Sequence, residues 1–491
     1  MGTGGAKLKE GSDSPLTIFK YVYATCLLIF SVYVVMNLIF TRSTKVAADA
    51  HPAVAFVVLW GGLLWLCMVE GGQGALVGLP PVDRELYKET HKISHKCTSL
   101  AHKGDNLDRY LMGRQFLVIF IVFAVELCGA PIHGIQLAWL PGWANTLFLG
   151  TGLAMILFTV QLGKVPSQVV ASHCMLDYIN NYFALWTLYV CMALEFSGIL
   201  HSSYFFQIVV AKIARKPIIS AEPPRNLQQN LFFWARVLFS FFILGYSLAV
   251  TLEALFQGKT TMWEGVNGAS AVVLFFVFMS IVGFLEGMQI AFFAVTKMTK
   301  DQQGDSKCAK MTCDLLFKGK GRNLPGFMIG RQLCVTLCFF IIARVTTLDV
   351  SIGVDQNIFD VSDGIQEFFN TGLLGALITT ILGSIAWQLV ASAFPIGFLS
   401  IPLTYALLVF CLALEATGIV SGAWVVAKIN RKLRGIKRDE EYIGTPEERA
   451  AKEKGDKDEE LAVGAGHPRI PIKQAGSQEY DLKNVDPQEN S

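Results

Sequence analysis

Glu70-Gly71-Gly72-Gln73 and Gly113-Arg114-Gln115 lie in otherwise apolar stretches, and both recur further along the chain as Glu286-Gly287-Met288-Gln289 and Gly330-Arg331-Gln332. The offset is 216 residues for the EGxQ element and 217 for GRQ. Working outward, Leu162-Gly163 and Gln168-Val169-Val170-Ala171-Ser172 answer Leu382-Gly383 and Gln388-Leu389-Val390-Ala391-Ser392, now at an offset of 220. At that same offset, Cys191-Met192-Ala193-Leu194-Glu195 answers Cys411-Leu412-Ala413-Leu414-Glu415. Matched elements in one order make the chain two copies of a single unit. Charged and amide side chains repeated at membrane depth are costly, and that cost calls for a functional explanation.

Composition sets the class. Of 491 residues 53% are apolar and only 16% charged, and the mean hydropathy is +0.45, far from a soluble average. Apolar runs near 16–41, 53–77, 112–130, 146–174, 182–210, 231–256, 269–296, 326–348, 371–394 and 396–427 each approach the length needed to cross a hydrocarbon core. The expected fold is therefore an all-α polytopic membrane protein of ten transmembrane helices. Only Pro395 separates the ninth span from the tenth. The first span is too long for a cleavable signal and reads as an anchor. Five spans per half is an odd number, so the two copies are expected as inverted repeats.

The domains follow: an amino-terminal segment 1–15, a first repeat 16–210, a connecting loop 211–230, a second repeat 231–427 and a tail 428–491. Lys428, Arg431, Lys432, Arg434, Lys437 and Arg438 mark the tail as cytoplasmic, and ten spans put Lys7 and Lys9 inside as well. One observation resists inversion. The loop after span two carries Arg84, Lys88, Lys92, Lys96, Lys103 and Arg109, and that after span seven carries Lys297, Lys300, Lys307, Lys310, Lys318, Lys320 and Arg322. Inverted repeats place these basic loops on opposite sides, whereas parallel repeats with an even number of spans per half place both inside. Hydropathy supports five segments per half, and the inverted arrangement is the expectation.

Glu70 and Gln73 share a helix face, as do Glu286 and Gln289. Glu70 with Arg114, and Glu286 with Arg331, are natural ion pairs in a low-dielectric setting. Gln115 and Gln332 add amides that both donate and accept, which suits a neutral polyhydroxylated solute. The same side chains could instead only fasten helices together. Gly71, Gly72 and Gly74 allow either close helix approach or local unwinding. Ser172, Glu195, Ser392 and Glu415 are candidates for a coupling cation, although serines inside helices usually bond back to their own chain.

Other chemistries find little support. The eleven cysteines are scattered, most of them within spans, unlike a secreted disulfide framework. Cys334 and Cys338 share a helix face and read as packing residues. His91-Lys92-Ile93-Ser94-His95 with His102 offers too few ligands for a di-iron enzyme; His133, His173 and His201 stand alone, so a solvated histidine-bearing loop and no enzyme are expected. A net charge of +2 without an aromatic-interleaved basic face gives no sign of nucleic acid. The tail holds a short helix candidate from Thr445 to Leu461 without sustained apolar heptads, so no tail-driven oligomer is expected. The remainder of the tail reads as disordered.

Two EGxQ motifs, each followed 43 or 44 residues later by GRQ in a duplicated membrane chain, resemble the silicic acid transporters of diatoms. Cys174-Met175-Leu176-Asp177 matches the CMLD element of pennate-diatom members. The resemblance spans roughly residues 16–430. It implies a plasma-membrane protein with both termini cytoplasmic that carries orthosilicic acid inward, with sodium as coupling ion and no resident cofactor. It also implies a substrate site at Glu70, Gln73, Arg114, Gln115, Glu286, Gln289, Arg331 and Gln332. CMLD has been considered a zinc site in that family, but Cys174 and Asp177 supply at most two ligands. A passive channel for a small neutral solute stays open as the alternative.

Overall fold

The computed structural model describes residues 15–80, 82–132, 134–215, 222–263, 265–296, 306–321 and 323–444. Lys7, Lys9, His133, Lys297, Lys300, Arg322 and the helix candidate from Thr445 to Leu461 lie outside the described residues. Contacts divide the chain into a body ending at Asp439 and a second unit from Glu440, in which Glu440–Ile443 forms a helical turn.

Among the described residues the body is helical throughout. In chain order the first half contains α1 (Pro15–Phe40), α2 (Pro52–Gly78), α3 (Lys92–Ala101), α4 (Asn106–Gly129), α5 (Leu153–Ala171), α6 (Tyr182–Phe196) and α7 (Ser202–Ala214). The second half repeats the series as α8 (Leu227–Phe256), α9 (Gly268–Thr296), α10 (Lys307–Gly321), α11 (Asn323–Thr346), α12 (Leu373–Ala393), α13 (Pro402–Ala416) and α14 (Gly422–Arg434). The correspondence reaches irregular features. Both α5 and α12 contain a π-helical stretch, Thr159–Lys164 in one and Thr379–Ile385 in the other. Both begin after a glycine with positive φ, Gly152 and Gly372.

Eight of these helices are long and apolar enough to cross a membrane: α1, α2, α4 and α5 with α8, α9, α11 and α12. The fifth and tenth expected spans are not continuous. Each is a pair of short helices, α6–α7 and α13–α14, broken where Gly198 and Gly418 take φ of +87° and +76°. That backbone region is open to glycine at little cost and ends a helix. A short helix, Pro395–Leu399, follows the break at Phe394, with Pro395 in its first turn.

The inverted arrangement is also corrected. It requires the carboxy-terminal ends of α4 and α11 on opposite faces, and they meet on one. Arg344, near the end of α11, donates to the carbonyl of Pro131 just beyond α4 at 2.9 Å. Lys45, after α1, donates to the Leu348 carbonyl at 2.9 Å and pairs with Asp349 at the same distance. Isolated bridges tie Thr44 to Pro131 and Thr260 to Leu348, so α1, α4, α8 and α11 all end together. The halves are parallel copies. With four long helices per half, α3 and α10 fall on the same face, which removes the charge conflict read from the sequence for Lys92, Lys96, Lys307, Lys310 and Lys318. The last short helix of each half packs on the other half: α7 lies against α12, and α14 against α1 and α5.

Candidate functional site

Close helix packing brings the two motif pairs together. At Gly113 a Cβ would come within 1.8 Å of the Cys191 carbonyl oxygen, and at Gly330 within 1.9 Å of that of Cys411. The glycine of GRQ and the duplicated cysteine are therefore two sides of one backbone contact, α4 on α6 and α11 on α13. Between the alternatives for the EGxQ glycines, close approach is what forms. Helix α2 runs unbroken through them, and Gly71 packs against the Tyr178 ring while Gly287 packs against Phe398.

In the second half, Arg331 Nη1 donates to Glu286 Oε1 at 3.1 Å, and Gln388 Nε2 donates to Glu286 Oε2 at 2.9 Å. In the first half, Arg114 Nη1 donates to Gln73 Oε1 at 2.6 Å, with Nη2 3.6 Å from Glu70 Oε2. Gln168 Nε2 donates to Glu70 Oε2 at 3.0 Å. Glu70, Gln73, Arg114, Glu286 and Arg331, with Gln115, Gln289, Gln332, Lys164, Val118 and Phe339, line one cavity of about 10 Å³ between the halves, and Gln168 and Gln388 brace its carboxylates from outside the lining. That is room for about one water. The Nε–H groups of Arg114 and Arg331, two of the lining residues, are buried with no hydrogen-bond partner.

Sequence reasoning missed three members of this site. Gln168 and Gln388 were visible as a duplicated pair, and the structure shows that each holds the carboxylate of its own half. Lys164 is fully buried; its Nζ lies 3.9 Å from Glu70 Oε1 and 5.2 Å from the Phe339 ring centroid. A lone lysine inside an apolar span was its available signal. At offset 220 its counterpart is Ser384, so a search by duplication passes over it. The cavity thus sets two guanidinium groups and the Lys164 amine against two carboxylates, and it can present both hydrogen-bond donors and amide acceptors.

The four ion-coupling candidates lie elsewhere and are not brought together. Ser172 and Ser392 are exposed, and Ser172 Oγ bonds back to the Val169 carbonyl at 2.9 Å. Glu195 is buried and accepts from the Tyr204 hydroxyl at 2.8 Å, while half-buried Glu415 faces Gly326. In CMLD, Cys174 is buried and Asp177 is engaged by His91 Nε2 at 3.1 Å and by the Lys437 N–H at 2.8 Å. Asp439 accepts from the N–H groups of Met175 and Leu176, at 2.8 and 2.9 Å, capping the short helix that follows Cys174. No group of three or more His, Cys, Asp or Glu side chains suited to a metal occurs among the described residues. The histidines of the loop after α2 are not solvated as expected: His91 is buried, and half-buried His102 bonds the Leu76 carbonyl at 2.8 Å.

Duplicated long apolar helices packed around a buried polar cavity define an integral membrane protein. A family model described as Silicon transporter matches residues 12–479, and the chain belongs to that family. Membership implies silicic acid as the transported solute. No curated protein and no solved structure matches the chain.

Proposed function

We propose that this chain carries orthosilicic acid into the cell by alternating access, coupled to the inward sodium gradient, with the solute held by both motif pairs. The observation carrying this reading is that Glu70, Gln73, Arg114 and Gln115 share one small cavity with Glu286, Gln289, Arg331 and Gln332. Silicic acid is an uncharged tetrahedral tetrol near neutral pH, so it needs hydrogen-bond partners of both kinds. The amides and the two spare Arg Nε–H groups supply them. Five heavy atoms do not fit where about one water does, so the helices must part for the solute to enter. A cavity this closed favours a carrier over an open channel.

The orientation we propose has both termini in the cytoplasm and the protein in the plasma membrane, where uptake is required. Its support is electrostatic. Asp177 links the basic stretch after α14 to the loop after α2 through Lys437 and His91, so these positively charged segments lie on one face.

The test is silicic acid uptake by the full chain in proteoliposomes, with and without an inward sodium gradient, beside a Gln115→Ala, Gln332→Ala double variant. Sodium-driven accumulation lost in a folded double variant supports the reading. Equal, non-accumulating flux in both conditions replaces it with a channel, and no flux from folded protein removes it.

A further inference from the structure

Among the described residues four acidic side chains are buried: Glu70, Glu126, Glu195 and Glu286. Three of them are engaged by the partners described above. Glu126 differs: it is 6% exposed, and its Oε2 has no hydrogen-bond partner. A buried carboxylate oxygen without a partner costs free energy unless a ligand completes it.

Glu126 sits between two spaces. On one side is a 550 Å³ vestibule at the common end of α1, α4, α8 and α11, shared with Lys45, Asp49, Trp263, Arg344 and Asp349. On the other is a cavity of about 10 Å³ lined by Val122, Glu126, Met155, Ile156, Thr159, Thr336 and Phe340. Helical spacing puts this cavity on the line from the central site outward. Gln115, Val118, Val122 and Glu126 follow one stripe of α4, and Gln332, Thr336, Phe340 and Arg344 one stripe of α11.

We infer that Glu126, Thr159 and Thr336 form the site of the coupling sodium ion, between the central cavity and the vestibule. This rests on the sodium-coupled reading above and gives it a location. The donor set is one carboxylate and two hydroxyl oxygens, all hard ligands, in a space the size of one ion or water. Thr336 donates its proton to the Gln332 carbonyl at 2.8 Å, leaving oxygen lone pairs for a cation and linking the site to a residue of the central cavity. Thr159 opens the π-helical stretch that ends at Lys164, and such stretches shift backbone hydrogen bonds near functional sites. In the central cavity, by contrast, Glu286 already accepts from Arg331 and Gln388, and Glu70 accepts from Gln168 with Arg114 beside it, which makes it a poor place for sodium. Arg344 also lines the vestibule and its charge acts on Glu126 across it, while its guanidinium donates to the Pro131 carbonyl at 2.9 Å and lies 5.4 Å from the Phe340 ring centroid, leaving Glu126 Oε2 without a hydrogen-bond partner.

The site is single. At the GRQ offset Glu126 corresponds to Ala343, so the second half has no matching acid.

The experiment is thermal unfolding of the purified full chain in detergent, titrated with sodium chloride at constant ionic strength against potassium chloride. Native protein, Glu126→Gln, Thr159→Val, Thr336→Val and Arg331→Gln are compared. The expected result is a sodium-specific rise in Tm that is lost in Glu126→Gln. The half-saturating sodium concentration should rise by roughly tenfold or more in each threonine variant. Arg331→Gln should keep the sodium response while losing silicic acid uptake. An undiminished response in Glu126→Gln and both threonine variants overturns the location and leaves sodium coupling standing. No sodium response in the native protein, with sodium-independent uptake, overturns the coupling and the location together.

Discussion

Replacing Gly330 by alanine tests whether the site depends on a backbone contact rather than on its polar side chains alone. The new Cβ would lie 1.9 Å from the Cys411 carbonyl oxygen. A carbon–oxygen contact settles near 3.3 Å, so α11 and α13 must separate by roughly 1.4 Å. Because the oxygen it meets is backbone, no rotamer change relieves the clash, and overpacking of this kind costs about 1–3 kcal/mol. The functional loss should be larger. Arg331 adjoins Gly330, and its 3.1 Å bond to Glu286 cannot survive such a displacement. A misplacement of about 1 Å commonly costs on the order of a hundredfold in rate. Gly61→Ala is the internal control. It lies in α2 with nothing within 4 Å of the added carbon, and alanine there should stabilise the helix by up to about 1 kcal/mol. Both variants, with Gly113→Ala, are compared by thermal unfolding in detergent and by initial uptake rates in proteoliposomes. Native Tm and native uptake in Gly330→Ala would refute the reasoning.

Three further outcomes follow from the same contacts. Arg331→Ala strands the Glu286 carboxylate and should cost about 3–5 kcal/mol, whereas Arg331→Met with Glu286→Leu should recover the stability without recovering uptake, read by unfolding and flux on the same samples. Burial pushes the His102 imidazole below its ordinary pKa of 6.5, so its contribution is present above that value and is lost as pH falls below it. Tm should therefore drop from pH 7 to pH 5, with a shallower drop in His102→Gln; equal slopes count against the assignment. Asp439→Ala removes the cap on the short helix after Cys174, and hydrogen exchange at Met175 and Leu176 should quicken while uptake of the unmutated chain sets the reference.

Much of the site could be read from residues alone because its parts were copied with the repeat. Glu70, Gln73, Arg114 and Gln115 announced themselves through their second occurrence, and their ion-pair partners followed from charge balance in an apolar setting. Lys164 and Glu126 have no second copy, since Ser384 and Ala343 stand at the matching positions, and duplication was silent about both. The orientation of the repeats was misread for a local reason. The pairs α6–α7 and α13–α14 have the apolar length of one span each, and a hydropathy window cannot see that Gly198 and Gly418 break the helix between their members.

The amino-acid sequence by itself determined a membrane-embedded helical protein, its duplication, and most of the polar side chains that must be satisfied away from water. These follow from composition and repetition, which act residue by residue. Only the tertiary structure decided that the halves are parallel, that Gln168 and Gln388 each hold a carboxylate, and that Glu126 keeps an oxygen unpartnered. Those outcomes depend on which helix ends meet and how closely backbones approach. Both are set by packing between segments separated by up to about three hundred positions, as in the Lys45–Leu348 contact, which local pattern does not encode.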